Sequence, residues 1–263
     1  MAALTSPDGT VIDYEIAGPD DAPAVVLVDG AMCFRDSGPM RSIADALAPE
    51  LRVVLYDRRG RGASTDTVPF SVHREVEDIA ALVDAVGGRA AVFGMSSGGA
   101  LALAAASELG QGRVTKVAVY EPPFMPEPAI PAAAAYTEEL TATLAAGDRE
   151  RAVEFFLRRV GVPDAGIEGM RGSPTWAATV ALAPTLAYDD AALGDSRVPA
   201  ELLRDLPVPV LALAGGASPE FLRFGAERVA EEARDGRYAV VDGQTHDVGA
   251  APLAAHLLAF LRP

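Results

Sequence analysis

Apolar residues in the first half of the chain come as short continuous runs, separated by longer stretches in which they recur every third or fourth position. The runs AVVLVDG (24–30) and RVVLYDRRG (52–60) are rich in β-branched residues and close on turn formers, so they predict strands. Between them MRSIADALAPE carries helical spacing. EVEDIAALVDAVGG (75–88) sets Val76, Ile79, Ala80, Leu82, Val83 and Val86 along one helical face and stops at two glycines. AAVFG then predicts a strand, the stretch from Gly98 to Leu109 a helix, and VTKVAVYEPP a further strand closed by prolines. VIDYEIAG (11–18) reads as an antiparallel edge strand. Strands alternating with helices predict a mostly parallel sheet with helices on both faces, an α/β fold.

From Pro122 to Asp205 the alternation stops. Helical stretches such as AYTEELTATLAAGDRERAVEFFLRRVG follow one another without a strand between them. The alternation resumes with VPVLALAGG (208–216), a helix over PEFLRFGAERVAEEARD, the strand RYAVVDG and the closing helix PLAAHLLAFLR. The expected organisation is one α/β core made of residues 1–121 and 206–263, with 122–205 inserted as a helical cap. At 263 residues such a core can bury itself without staples.

Composition narrows the partners. A formal charge of −15, with no run of lysines or arginines, repels polyanions and acidic membranes, so neither nucleic acid nor a membrane is expected. The start, MAALTSPDGT, has no basic segment leading into an apolar one, and no stretch reaches the roughly 18 apolar residues that span a bilayer, so the expected location is cytoplasmic. Cys33, the one cysteine, cannot form an intramolecular disulfide, which agrees with a reducing compartment. Lys116 is the single lysine. The expected partner is a small-molecule substrate, with a homodimer left open. The histidines are too dispersed for a metal site, and no GxGxxG opens a helix after a strand, so the expected chemistry uses neither metal nor dinucleotide.

The stretch AVFGMSSGGA carries the sharpest chemical signal. Gly94-Met95-Ser96-Ser97-Gly98 fits G-x-S-x-G with Ser96 at its centre, at the point where an apolar strand becomes an alanine-rich helix. A serine on so sharp a turn needs small neighbours, because its backbone is strained and other chain passes close by. Its hydroxyl is a poor nucleophile until a base takes the proton, so an imidazole must stand within reach. Of the three histidines, His73 begins a helix and His256 lies inside the last one, whereas His246 follows the last strand in a Gly-Gln-Thr-His-Asp loop.

Together these segments resemble the α/β-hydrolase fold superfamily over nearly the whole chain. DGAMC is similar to its oxyanion loop, YDRRGRGAS to its following strand and turn, FGMSSGG to its nucleophile elbow and GQTHD to its histidine loop. The resemblance implies a nucleophile at Ser96, a general base and acid at His246, and oxyanion donors in the backbone N–H groups of Ala31 and Ser97.

Two positions depart from the family pattern. Asp29 stands where histidine is usual before the oxyanion-loop glycine, and Ser218 stands where the triad aspartate is usual. A serine cannot supply the charge that steadies an imidazolium. Some relatives place the acid after the preceding strand, which makes Glu121 the favoured acid here, over Glu220, Asp247 or a Ser-His dyad. Cys33 reads as a small apolar filler and the cluster Arg58, Arg59 and Arg61 as partners of neighbouring carboxylates. Trp176, Phe124, Met125, Phe155, Phe156 and Tyr188 line either an acyl or aryl pocket or the cap's own core. The expected activity is serine hydrolysis of an ester, thioester or lactone of a small to medium apolar molecule. A non-hydrolytic catalyst, such as a lyase or cyclase, and a receptor-like binder without turnover are the alternatives.

Overall fold

The β-branched runs become strands covered on both faces, and each strand's alternation divides its side chains between two apolar layers. A computed structural model describes residues 2–262. Its strands are β1 (Ala2–Thr5), β2 (Val11–Ala17), β3 (Ala24–Val28), β4 (Arg52–Tyr56), β5 (Ala90–Met95), β6 (Val114–Tyr120), β7 (Val210–Gly215) and β8 (Gly236–Val241). They form one sheet in the order β1-β2-β4-β3-β5-β6-β7-β8, parallel from β4 to β8 and antiparallel at β1 and β2. VIDYEIAG is antiparallel as expected but is not the edge, because Ala2–Thr5 pairs outside it. Four residues with little apolar patterning left that outer strand without a signal in the sequence.

Val26, Val28, Val92, Val117 and Val119 point to one face, against α2 (Val72–Ala85), α3 (Ser97–Leu109), α9 (Ala200–Asp205) and α10 (Glu220–Glu232). Val25, Leu27, Leu55, Phe93 and Tyr120 point to the other, against α1 (Met40–Leu47) and α11 (Ala250–Leu261). Each fully buried aliphatic side chain contributes about 1.5–3 kcal/mol, so these two layers carry most of the driving force. Lys116 on β6 donates to Phe260 O at 2.7 Å and Arg262 O at 2.6 Å, tying the end of α11 to the sheet.

Between β6 and β7 lie α4 (Ile130–Ala145), α5 (Arg149–Arg159), α6 (Asp164–Arg171), α7 (Trp176–Ala181) and α8 (Leu186–Leu193), followed by α9. The long helical stretch read from AYTEEL onward is broken at Gly147, where φ is 77°, and restarts at Asp148, whose carboxylate accepts the Arg151 N–H at 3.1 Å. Tyr136, Leu140, Val153, Leu157 and Leu186 give this segment an apolar centre of its own, and Ala31 and Met32 of the loop after β3 pack against it. Among the described residues no helix is long and apolar enough to cross a membrane.

The strand order places the site. β3 and β5 are neighbours, yet β3 leads to α1 on one face and β5 to α3 on the other. Their outgoing loops therefore diverge, and a crevice opens beyond the carboxyl ends of the strands at that switch point.

Candidate active site

Ser96 sits in this crevice. It has φ 56° and ψ −129°, a conformation that costs a non-glycine residue about 1–3 kcal/mol, and it is partly exposed between the buried Met95 and Ser97. Its N–H donates to Tyr120 O at 2.9 Å, which holds the turn to β6. The small residues around it are required by close approach. A Cβ on Gly94 would lie 2.1 Å from Gly98 O, and one on Gly98 would lie 2.3 Å from Val28 O and 2.5 Å from Asp29 O. Gly98→Ala is therefore expected to lower stability by about 1–3 kcal/mol, whereas Gly112→Ala stays within about 0.5 kcal/mol. A Cβ on Gly112 meets nothing within 4 Å. Thermal melts of the two variants read the difference.

The histidine loop reaches the same crevice. His246 Nδ1 lies 2.7 Å from Glu121 Oε2, and the other carboxylate oxygen accepts the Gly215 N–H at 2.7 Å. Glu121 is fully buried and has φ 48°, so the end of β6 is bent to turn the carboxylate across β7 toward the histidine. Tyr120 Oη donates to Thr245 O at 2.6 Å, and Gln244 Oε1 accepts the Gly249 N–H at 2.8 Å; both brace the loop around His246. The geometry thus brings Glu121, and neither Glu220 nor Asp247, into contact with the imidazole. Ser218 is buried nearby, and its Oγ has no hydrogen-bond partner among the described residues.

Ser96, His246, Ala31 and Ser97 line one cavity of about 610 Å³. Among the described residues no acceptor takes the N–H of Ala31 or of Ser97. Of the six residues expected in a pocket or cap core, Met125 and Phe156 line this cavity. Phe124 belongs to the sheet's apolar layer, Phe155 and Trp176 pack on the centre of the helical segment, and Tyr188 stacks on Phe70 at 3.8 Å.

Beneath the loop after β3 lies a layer of charge. Arg59 is bound by Asp78 and Asp8, and Arg58 by Glu75, each through contacts of 2.7–2.8 Å. Arg58 and Arg61 also meet Asp189 of α8, both at 2.7 Å, and Asp189 accepts the Ser97 hydroxyl at 2.9 Å. Burial alone would raise the Asp189 carboxyl, but Arg61 and Arg58 outweigh it and hold it below the ordinary value. Each of the three arginines pairs with a neighbouring carboxylate, as expected. Asp189 carried no signal in the sequence, because its partners lie more than 90 positions away.

Asp29 is the exception in this layer. It is 2% exposed, and neither carboxylate oxygen has a hydrogen-bond partner among the described residues. Burial pushes it up to about 7, despite the nearby Arg61 and Arg58. In the unfolded chain it titrates near 3.8, so its contribution to stability is complete below that pH and is lost as pH rises through about 7. Asp29→Asn should therefore gain on the wild type by up to a few kcal/mol as pH rises from about 4 to about 7, measured by chemical denaturation. Burial likewise pushes the Cys33 thiol up to about 12, in keeping with an inert filler.

The sequence profile of the alpha/beta hydrolase family matches residues 25–257, and the chain belongs to that family. The crystal structure of an alpha/beta hydrolase from Sphaerobacter thermophilus is 40% identical, superposes with a TM-score of 0.85, and covers 98% of this chain and 99% of its own. Curated relatives match in part. A 2-heptyl-3-hydroxy-4-quinolone dioxygenase of Rhodococcus erythropolis is 37% identical over 123 residues, 45% of either chain. A 3-oxoadipate enol-lactonase of Acinetobacter baylyi is 34% identical over 101 residues, 38% of this chain and 37% of that protein. The chain spans less than half the length of the curated relatives it matches.

Proposed function

We propose that this protein is a serine hydrolase, needing no cofactor, that cleaves an ester, thioester or lactone of a small to medium apolar substrate. The observation that carries the reading is the 2.7 Å contact between His246 and Glu121 at the cavity that Ser96 enters from its strained turn. Glu121 holds the proton on Nδ1, leaving Nε2 as the base. Ser96 Oγ attacks the substrate carbonyl carbon while its proton passes to Nε2. The negative oxygen that forms is taken up by the N–H groups of Ala31 and Ser97, each worth about 100–1000-fold in turnover. The C–O or C–S bond then breaks, the leaving group takes the proton from His246, and water releases the acyl group by the same steps in reverse order. A cavity of about 610 Å³ with Met125, Phe156 and Leu186 in its walls suits an apolar acyl or ring portion.

The test is stoichiometric labelling of Ser96 by a fluorophosphonate, with turnover of a p-nitrophenyl ester panel. Labelling together with turnover is the expected result. A second reading, non-hydrolytic catalysis, takes support from the partial likeness to a dioxygenase. It predicts labelling without turnover of any ester, thioester or lactone. Thermal stabilisation by a ligand, without product, would instead select a binder.

A further inference from the structure

The two oxyanion donors carry no charge, so their effect depends wholly on where they point. A trans peptide directs its C=O and N–H to opposite sides, so whatever holds the Gly30 carbonyl also aims the Ala31 N–H. Arg61 Nη1 donates to that carbonyl at 2.5 Å and to Cys33 O at 3.3 Å, while Arg58 Nη1 donates to the preceding one, Asp29 O, at 3.0 Å. Gly30 passes close to the serine, since a Cβ on it would lie 3.0 Å from the Ser96 Cβ, and Ala31 lines the same cavity as Ser96. The second donor is carried by Ser97, whose hydroxyl is tied to Asp189 Oδ1 at 2.9 Å.

Both arrangements converge on one carboxylate. Asp189 meets Arg58 with Oδ1 and Arg61 with Oδ2, each at 2.7 Å, and all three side chains are buried. Arg58 keeps a second carboxylate in Glu75 at 2.7 Å, whereas Asp189 is the one carboxylate paired with Arg61 among the described residues. Asp189 belongs to α8, part of the helical segment on which Ala31 and Met32 pack. The oxyanion loop is therefore held from two directions by the same segment, through apolar contact above and through ion pairs below.

We propose that Asp189 is a positioning residue: by fixing Arg61 and Ser97 it orients both oxyanion donors, and it makes their alignment depend on the seating of the helical segment. This rests on the hydrolase reading of the site. Asp189 does not touch the reacting atoms. Its removal misaligns donors that bind the developing negative oxygen, so the loss falls on kcat and leaves ground-state binding nearly intact.

The experiment compares wild type, Asp189→Asn, Arg61→Lys and Ser97→Ala with p-nitrophenyl butyrate. The rates are expressed per Ser96 titrated by fluorophosphonate, and the second-order rate of that labelling is recorded in parallel. Asn keeps the shape and one acceptor but not the charge; Lys keeps the charge but not the fork. Expected for both is a fall in kcat of about 10–100-fold with KM moving less than about threefold, and a parallel fall in the labelling rate. Ser97→Ala, which leaves all buried charges paired, should lose about 3–10-fold in kcat, and it supplies the answer if the charge variants do not fold. A lower Tm with unchanged kcat per titrated site would overturn the proposal, leaving Asp189 a structural ion pair. A rise in KM with kcat intact would also overturn it, making Asp189 a substrate contact. If the wild type labels but turns over no ester, the hydrolase reading fails, and the labelling rates still decide on Asp189. A wild type that does not label removes both.

Discussion

Ser96→Ala is expected to abolish ester turnover, a fall of about 10⁵–10⁶-fold in kcat, while the protein folds as before. The side chain of Ser96 caps no helix, and the N–H that ties the turn to Tyr120 belongs to the backbone. Alanine occupies the same positive-φ position with the same strain, so Tm should stay within about 2 °C of wild type. Residual turnover measured after exhaustive removal of contaminating esterase, together with loss of fluorophosphonate labelling, reads the result. A variant retaining a tenth of the wild-type rate would take the nucleophile away from Ser96.

Glu121→Gln is expected to lower kcat by about 10³–10⁴-fold. Glutamine keeps the volume and can still accept the Gly215 N–H through its carbonyl oxygen. Its amide NH₂ then faces His246 Nδ1 where a carboxylate oxygen now lies at 2.7 Å. To satisfy that donor the imidazole must leave Nδ1 bare and carry its proton on Nε2, where the mechanism needs a base. The loss is therefore one of tautomer as well as of charge. Glu220→Gln and Asp247→Asn, which touch the imidazole in neither case, should stay within about threefold of wild type. Matched kcat measurements on the three variants separate the candidates for the acid.

The ease of reading each of these residues from the chain differs for physical reasons. Ser96 was legible because its constraint is local: strand, strained turn and helix follow within ten residues, and the glycines needed for close approach stand beside it. His246 followed from scarcity, since two of the three histidines fall within helices. Glu121 was harder to choose. The contact with His246 is made across β7, and which carboxylate crosses depends on strand order and on a positive φ that no side chain announces. Asp189 lay beyond reach, because its two arginines come from the loop after β4 and its hydroxyl donor from α3. Such a meeting is set by how the helical segment docks. The outermost strand, Ala2–Thr5, escaped because an edge strand with one apolar neighbour needs little pattern to pair.

Arginine, and not lysine, supplies every positive charge in the layer under the loop after β3 among the described residues. A guanidinium keeps its proton in all media a protein survives, whereas a buried ammonium gives it up readily. The cationic half of this foundation is thus invariant from acid to strong alkali, whereas Asp29, pushed up by burial to about 7, gains its negative charge across neutrality. An activity that declines in mildly basic solution would be reporting an added negative charge one residue from Gly30, with the guanidinium lattice intact beneath it.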